Sequence, residues 1–358
     1  MSTTYGNNLK LTIYGGSHDE KIGMTLCGIP AGHKIDKDEL YALMRRRAPG
    51  QNAYSTQRKE PDIPVFLSGF DGDVTNGDMI EAAIYNTNQR SRDYGNLFDV
   101  PRPSHADYAA KVKYGDSVDL RGGGHFSGRL TSLMCVAGGI CMQILKEKNI
   151  SIASHIYSIG NVCDTPFDAV CPKNQMESLM GKDFSVIDDS VADKMKEVIE
   201  SARLDGDSVG GVVETSIIGM AAGFGEHMFS GVEGRISAIV FGIPAVKGIE
   251  FGLGFGSASI RGSENNDPYY TDGKNIYTKT NNAGGIIGGM TSGMPIIFRA
   301  AVKPTPSISR EQDSVSLSKM ENVKLSIVGR HDPCIVPRSV PVFESCAAIA
   351  IMDMLLDS

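Results

Sequence analysis

Two of the seven histidines lie in surroundings where an imidazole could transfer a proton. His18 follows a Gly-Gly-Ser turn at the end of an alternating segment, and His105 follows Ser104 where a helix is expected to begin. Because the pKa of histidine is close to neutral, such a side chain can protonate a leaving phosphate or a developing ring anion. We therefore take His18 and His105 as candidate acid–base residues.

Arginines are concentrated in one early part of the chain, although the whole chain is acidic, with a formal net charge of −7. Arginine binds phosphate and carboxylate groups through paired hydrogen bonds, and these arginines stand in loops rich in Gly, Pro and Asn. The pattern predicts a local site for a small molecule with several negative groups, rather than general binding of nucleic acid. The set consists of Arg45, Arg46, Arg47, Arg58, Arg90, Arg92, Arg102, Arg121 and Arg129.

Several enzyme classes are disfavoured because their motifs are absent from the sequence. There is no GxGxxG dinucleotide motif in a βαβ context, no GxxxxGK[ST] phosphate loop, no GxSxG elbow and no HExxH zinc motif. The seven cysteines form no CxxC pair, which favours a reducing compartment, and residues 1–10 show no signal-peptide pattern. We therefore expect a cytoplasmic enzyme. His33, His155 and His227 have no informative neighbours, so we expect structural roles for them.

The elements that must position these residues can be outlined from the sequence. Leu9–Tyr14 alternates like a strand and leads into the turn before His18. Asp36 and Glu39 form a capping-box pattern, which predicts a helix that ends at Arg47. Ser104 is predicted to cap a helix through Tyr114, which would place His105 in its first turn.

Further along the chain, strands and helices alternate irregularly. We predict helices over residues 75–88, 129–146, 189–203 and 340–356, and strands over residues 65–70, 209–218 and 294–302. The helix predicted over residues 129–146 follows a glycine-rich loop, Arg121–Gly124. Since regular βαβ units and linkers are missing, we expect the α+β class and a single domain over residues 1–358.

At these segments the sequence resembles chorismate synthase, and the matches run in order along nearly the whole chain. The matching blocks are Gly16–His18, Arg46–Arg47 with Pro49–Gly50, Ser55–Arg58 with Glu60–Asp62, Asn88–Ser91, Arg102–Pro103, His105–Tyr108, Arg121–Gly124, Asp207–Gly211, Ala245–Gly248, Arg261–Asn265, Asn281–Gly285, Lys303–Thr305 and Gly329–Cys334.

The resemblance implies a β-α-β sandwich fold and a lyase of the shikimate pathway. The family removes phosphate from 5-enolpyruvylshikimate 3-phosphate by a 1,4-anti elimination to give chorismate. The reaction requires reduced FMN although no net oxidation occurs, and NADP is a further molecule associated with the family. The usual assembly is a homotetramer. Because no added reductase domain is visible, an external source of reduced flavin is expected, and no partnership with nucleic acid or membrane is expected.

The resemblance also assigns roles to individual residues. His18 would protonate the departing phosphate, His105 would protonate the reduced flavin near N1, and Asp332 would act as a base on the N5 side. The substrate anions would be bound by Ser17, Arg47, Arg121 and Arg129. The flavin would be bound by His125, Phe126, Ser127, Ala245, Gly288, Lys303, Pro304, Thr305, Pro306, Ser307 and Arg330. No metal site is expected.

The sequence departs from the family pattern near these residues. Gly16 stands where glutamate is usual, Ala53 replaces a common arginine, and His125-Phe126-Ser127 replaces Arg-Ser-Ser. His125 is therefore either a replacement contact or an ordinary loop residue. Two other hypotheses stay open at this stage. One is a metal-dependent phosphoesterase that uses His18, Asp19, His331 and Asp332, and the other is an inactive protein that binds flavin or phosphate.

Overall fold

A computed structural model describes residues 1–50, 62–86, 99–327 and 332–357. Its strands are β1 (Ser2–Tyr5), β2 (Lys10–Tyr14), β3 (Lys21–Cys27), β4 (Val65–Ser68), β5 (Phe70–Asp71), β6 (Val74–Thr75), β7 (Ile80–Tyr85), β8 (Ser151–Ile159), β9 (Val162–Cys163), β10 (Gly211–Ile218), β11 (Val246–Phe251), β12 (Tyr269–Thr271), β13 (Ile276–Thr278), β14 (Ile286–Ile287), β15 (Met290–Thr291), β16 (Ile296–Val302), β17 (Gln312–Ser316) and β18 (Glu321–Leu325). Its α-helices are α1 (Lys37–Arg47), α2 (Asp107–Tyr114), α3 (Thr131–Glu147), α4 (Lys173–Ser178), α5 (Ala192–Leu204), α6 (Val232–Val240), α7 (Gly262–Asn265) and α8 (Val336–Leu355).

Two five-stranded antiparallel sheets form the outer layers of the fold. The first has the order β1-β2-β3-β7-β4, and the second has the order β11-β16-β10-β8-β9. Helices α3 and α8 pack against each other between the sheets, α3 also against β3 and α8 also against β8 and β10. This arrangement confirms the α+β class and the predicted β-α-β sandwich.

The middle layer is buried because α3 and α8 are apolar on nearly all sides. Gly138 lets the two helices approach closely, since a Cβ there would lie 2.2 Å from the Cβ of Ser345. One continuous apolar core extends from Leu9, just before β2, to Met354 in α8. The segment 121–147 is long and apolar enough to cross a membrane by length and composition, but 83% of its apolar window is buried inside the protein. Such burial is typical of a helix in the core of a protein.

The predicted start and end of α1 are confirmed. The side chain of Asp36 accepts hydrogen bonds from the backbone N–H groups of Asp38 and Glu39, which satisfies two donors of the first turn. Only half of the capping box forms, because the backbone N–H of Asp36 donates to Gln143 at 2.7 Å instead of to Glu39. The same glutamine bonds the carbonyl of Asp36, so this end of α1 is attached to α3.

The helix predicted over residues 75–88 is wrong, because Ile80–Tyr85 forms strand β7. This strand lies between β3 and β4, and Ile80, Ala82 and Ala83 are all fully buried. A short apolar run fits a central strand or a buried helix equally well by periodicity, and the pairing with β3 on one side and β4 on the other decides for the strand. The remaining predicted elements occur, with β10, β16, α3, α5 and α8 close to their expected bounds.

Candidate active site

The site is organised around the triple-glycine loop, Arg121–Gly124, which precedes α3. Gly122 and Gly123 have φ values of +59° and +91°, a left-handed conformation that residues with a Cβ rarely adopt. A Cβ at Gly122 would lie 2.2 Å from Cε1 of His18, and one at Gly123 would lie 3.4 Å from Nε2 of His105. The loop therefore brings together two histidines that are 87 residues apart in the sequence. Their rings lie against adjacent glycines.

Ser17 and His18 are held against this loop by the turn that follows β2. Both residues are buried. The hydroxyl of Ser17 lies 3.1 Å from the carbonyl oxygens of Arg121 and Gly122, to which it donates, and 3.2 Å from Nδ1 of His18. The backbone N–H of Ser17 donates to Gly124. The serine therefore fixes the position of the histidine relative to the loop.

His105 lies next to a buried ion pair. Its Nδ1 lies 2.6 Å from Oδ1 of Asp107, and Asp107 also accepts hydrogen bonds from Nε and Nη2 of Arg102 at 2.7 and 2.8 Å. Although burial of Asp107 opposes ionisation, the hydrogen bonds from Arg102 and His105 lower the pKa of this carboxyl group. Asp107 is therefore a stable anion next to the ring.

The predicted position of His105 in the first turn of a helix is wrong. Helix α2 begins at Asp107, its N-cap is Ala106, and Ser104 has a positive φ of 60° and makes no cap. The physical reason is that Asp107 bonds back to Arg102 and His105, which fixes residues 102–107 as a compact loop before the helix. His105 is consequently part of this loop.

A second cluster joins two of the predicted substrate arginines. Asp62 is 1% exposed. Its carboxylate accepts hydrogen bonds from Nη1 of Arg47 at 2.6 Å and from Nη1 of Arg129 at 2.8 Å. Arg47 also donates to Thr131 and to the carbonyl of Gly128. Asp62 therefore joins the two guanidinium groups into one buried cluster.

Two further contacts connect this cluster with the other candidates. Arg338 forms an ion pair with Asp332, and its Nε donates to the carbonyl oxygen of Arg47 at 3.1 Å. Burial lowers the pKa of Arg338. At the other end, Nε of Arg129 donates to Asn86, whose amide donates to the carbonyl of Asp19, the residue after His18. A continuous set of contacts therefore runs from Asp332 to the turn that holds His18.

Arg121 is the most exposed of the predicted substrate arginines, with 40% of its side chain accessible. Its guanidinium donates to the carboxylate of Asp119 at 2.6 Å, and this contact lowers the pKa of Asp119.

The segment His125–Ser127 connects the glycine loop with its neighbours. Nδ1 of His125 donates to the carbonyl of Gly15, so His125 joins the glycine loop to the end of β2. Ser127 caps the turn that contains Arg129. Phe126 packs against the small apolar cluster of Ala110, Val118 and Leu120.

The second predicted flavin segment, Lys303–Ser307, follows β16 and reaches the His105 loop. Lys303 donates through Nζ to the carbonyl of Ser104, and Ser307 accepts Nη1 of Arg102 at 3.3 Å. The backbone N–H of Lys303 donates to the carbonyl of Ala245, which has a positive φ of 76°. Burial lowers the pKa of Lys303. This segment and His105 therefore share one neighbourhood.

The other predicted flavin residues are less clearly connected to the His105 loop. Pro304 packs near Gly210, where a Cβ would meet its Cδ at 3.0 Å, and Pro306 lies in the same segment. Gly288 is in the exposed turn between β14 and β15, and no hydrogen bond of the described residues joins it to the segment. Arg330 and His331 lie outside the described residues, as do Arg58, Arg90 and Arg92.

The segment after β16 offers hydrogen-bond donors that a flavin could use. The hydroxyl of Thr305 is buried and lacks a hydrogen-bond partner among the described residues, so it can serve a bound polar group. Together with the ammonium of Lys303, this donor fits the phosphate or ring oxygens of FMN. Within residues 1–50, 62–86, 99–327 and 332–357, no group of three His, Cys, Asp or Glu residues is arranged to bind a metal ion.

Sequence reasoning missed the carboxylates that organise the site. Asp62 and Asp107 both fall within blocks that carry the resemblance, but no role was expected for either. Arg338 was also missed. The signal that was available is the spacing of Arg102, His105 and Asp107, which can meet within one tight loop. For Asp62 and Arg338 the partners are distant in sequence, so only the fold reveals them.

The fold and the site define a class of protein: an α+β sandwich with two histidines against a glycine loop and a buried cluster of arginines around Asp62. Comparisons with known proteins agree with this class. The family model described as chorismate synthase matches residues 9–356. A chorismate synthase of Lancefieldella parvula is 42% identical, with 99% of this chain and 96% of the relative covered. One of Methanobrevibacter smithii is also 42% identical, with 100% and 97% covered. A crystal structure of a chorismate synthase superimposes with a TM-score of 0.77 at 28% identity, with 98% and 93% covered.

The chain belongs to the chorismate synthase family. Its activity is that of a carbon–oxygen lyase, the elimination of phosphate from 5-enolpyruvylshikimate 3-phosphate to give chorismate, the last step of the shikimate pathway. The family depends on a flavin. The resemblance found in the sequence is thereby confirmed, and the phosphoesterase and the inactive binding protein are not supported.

Proposed function

We propose that this chain performs the elimination with His18 and His105 as separate proton donors on the two sides of the triple-glycine loop. The observation that carries the proposal is the placement of the His18 ring at Gly122 and of the His105 ring at Gly123. Because Gly122 and Gly123 carry no side chains, the loop adds no side-chain bulk beside either ring. His18 would give its proton to the departing phosphate, and His105 would hold a proton at Nε2.

The substrate would be bound by Ser17, Arg47, Arg121 and Arg129. The convergence of Arg47 and Arg129 on Asp62 supports this assignment for the two arginines, because the substrate carries two carboxylates and a phosphate and guanidinium groups bind such anions. Arg121 is exposed enough to close on the ligand from the solvent side. Once water is excluded, these contacts become stronger.

Reduced FMN is the cofactor that this site would bind, and when bound it supplies the electron-rich ring system that the elimination requires. Lys303 and Thr305 would bind it, with Ala245, Pro304, Pro306, Ser307 and Gly288 and the loop His125–Ser127 around it, and with Arg330 from outside the described residues. Asp332, oriented by Arg338, would accept a proton there. The supply of reduced flavin would be external.

The chain would act as one domain over residues 1–358, in a cytoplasmic homotetramer. The continuous core from the first sheet to α8 supports a single domain. Large apolar side chains in the second half are exposed, among them Phe229 at 94%, Phe255 at 85% and Ile276 at 71%. Such side chains favour contact with further copies of the chain. Light scattering of the purified protein tests the tetramer, and a monomer would contradict it.

The proposed function is tested by mixing the enzyme, reduced FMN and 5-enolpyruvylshikimate 3-phosphate without oxygen. We expect chorismate and phosphate in equal amounts, no net oxidation of the flavin, and no effect of a metal chelator. Oxidised FMN under the same conditions is the control and should give no product. Folded protein that releases no phosphate with reduced FMN would contradict the proposal.

A further inference from the structure

The contact between Asp107 and His105 does more than pair two charges, because it can fix the orientation of the His105 ring. Asp107 is 2% exposed and accepts four hydrogen bonds, from the backbone N–H, Nε and Nη2 of Arg102 and from Nδ1 of His105. Three of the four come from Arg102. The carboxylate is therefore immobilised by the arginine and offers the remaining contact to the histidine.

The geometry decides which ring nitrogen of His105 carries the fixed proton. Nη2 of Arg102 lies 3.1 Å from Nδ1 of His105, and a guanidinium can only donate. Asp107 can only accept, and its Oδ1 is closer, at 2.6 Å. Nδ1 is therefore best occupied by a proton that is donated to Asp107. Nε2 is left on the opposite side of the ring, toward Gly123.

We propose that Asp107, immobilised by Arg102, is a positioning residue that holds His105 with its proton on Nδ1 and directs Nε2 at the ligand beside Gly123. The inference rests on the proposed function of His105. In a transfer, the N–H bond at Nε2 breaks and the proton passes to the acceptor. The ring returns to the neutral form with Nδ1 still protonated, and the charge of Asp107 does not change.

The charged groups around His105 fit this role. Arg102 and Asp107 cancel each other's charge within its own loop. From the segment after β16, Ser307 bonds Arg102, and the ammonium of Lys303 bonds the carbonyl of Ser104. Lys247 lies near that ammonium. At the glycine loop, the residue beside the ring is Gly123, whereas His18 lies against Gly122 and Arg121 pairs with Asp119. The direct contact of the ring with an anion is therefore made by Asp107.

The experiment replaces Asp107 by asparagine, which keeps the shape of the side chain and removes the charge. We expect kcat to fall by about 100-fold or more and the pH profile of kcat to change, with KM for the substrate within about threefold of wild type. Asp107→Glu restores a carboxylate and should recover part of kcat and the original shape of the profile. Unchanged kcat and pH profile in a less stable Asp107→Asn protein would show a merely structural role and overturn the proposal.

Asp164→Asn is the matched control. Asp164 also bonds Nδ1 of a histidine, His155, at 2.9 Å, but this pair is in the second sheet and outside the site. Asp164→Asn should lower stability while activity per folded molecule stays within about twofold. If Asp107→Asn does not fold, the same comparison is made with Arg102→Lys, which retains the charge but loses the paired hydrogen bonds. Arg102→Lys with wild-type kcat and pH profile would overturn the proposal.

Two measurements separate this proposal from the proposed function. ¹⁵N NMR of the ring nitrogens without ligands should show Nδ1–H for neutral His105 in the wild type and a changed tautomer in Asp107→Asn, whether or not the enzyme turns over. A wild-type ring protonated on Nε2 would overturn the proposal. In a His105→Gln background, Asp107→Asn should cause no further loss of kcat, and an additive loss would contradict action through His105.

Discussion

Two of the histidines that pair with carboxylates, His105 and His155, differ in what the second ring nitrogen does. His155 in β8 is fully buried, with Nδ1 at 2.9 Å from Asp164 and Nε2 at 2.9 Å from Glu214. His105 has Asp107 on Nδ1, while its Nε2 faces the glycine loop and has no hydrogen-bond partner among the described residues. A histidine whose two ring nitrogens both have hydrogen-bond partners has a structural role, whereas a histidine with one available nitrogen can transfer a proton.

The partners reinforce this difference. Asp164 also accepts the backbone N–H groups of Ile187 and Asp188, and Glu214 accepts that of Phe167, so the His155 cluster connects loops to the second sheet. Although burial disfavours the charged ring, the hydrogen bonds with Asp164 and Glu214 raise the pKa of His155. His155 is thus held as a cation by its surroundings and has no site at which to give up a proton to a ligand.

The largest effect is expected for the histidine with the available nitrogen. His105→Gln removes the proton donor at Nε2, and general acid–base groups contribute about 10²- to 10⁴-fold to rates. We expect phosphate release to fall by that factor while the melting temperature changes little, since the ring is only partly buried. Anaerobic turnover and thermal unfolding check this. Turnover within threefold of wild type would remove His105 from the mechanism.

His155→Gln should show the opposite behaviour. The substitution leaves the buried carboxylates of Asp164 and Glu214 without their cation, and breaking a buried ion pair costs about 3–5 kcal/mol. Urea unfolding should report that loss, whereas activity per folded molecule should stay near the wild-type value. A stable but inactive His155→Gln protein would mean that the two histidines do not divide the roles in this way.

The glycine loop offers a test of the placement of the two rings. Gly122→Ala adds a Cβ at 2.2 Å from the His18 ring in a left-handed backbone, whereas at Gly123 the nearest atom is Nε2 of His105 at 3.4 Å. Both changes should cost about 1–2 kcal/mol of backbone strain. Gly122→Ala should lower kcat further, by about tenfold more than Gly123→Ala. Equal kcat values would contradict the placement of His18 against Gly122.

The contribution of His155 to stability should depend on pH. Because the folded pKa is raised above the ordinary value of about 6.5, the contribution is complete below that value and is lost as pH rises through the folded pKa. The pKa of Asp164 is lowered, so its contribution is lost at the acid end instead. The difference in unfolding free energy between wild type and His155→Gln should therefore shrink as pH rises above about 6.5. A difference that grows with pH would contradict the charged state of His155.

Local features of this fold could be predicted from the sequence, and long-range ones could not. The cap at Asp36 and the strand before His18 are set by neighbouring residues, so they were predicted correctly. Strand β7 differs from the predicted helix because its burial depends on pairing with β3 and β4, which its own residues do not specify. The helix start at Asp107 was missed because that carboxylate is used by Arg102 and His105.

The candidate site shows the same division. His18, His105 and the arginines were recognisable from residue type and from the resemblance, but their mutual positions were not. Asp62 meets Arg47 and Arg129 only because α1, the turn before α3 and the segment before β4 converge. Likewise, the sequence gives no reason to expect Nδ1 and Nε2 of His155 to be satisfied by residues of two other segments.

The most direct test is a crystal structure of the enzyme with FMN and 5-enolpyruvylshikimate 3-phosphate bound. We expect a ligand atom within hydrogen-bond distance, about 3 Å, of Nε2 of His105 and another within that distance of the His18 ring, on the side of the Arg121–Gly124 loop. His155 should keep both of its carboxylate partners. Ligands bound away from this loop, with neither His18 nor His105 in contact, would contradict the account.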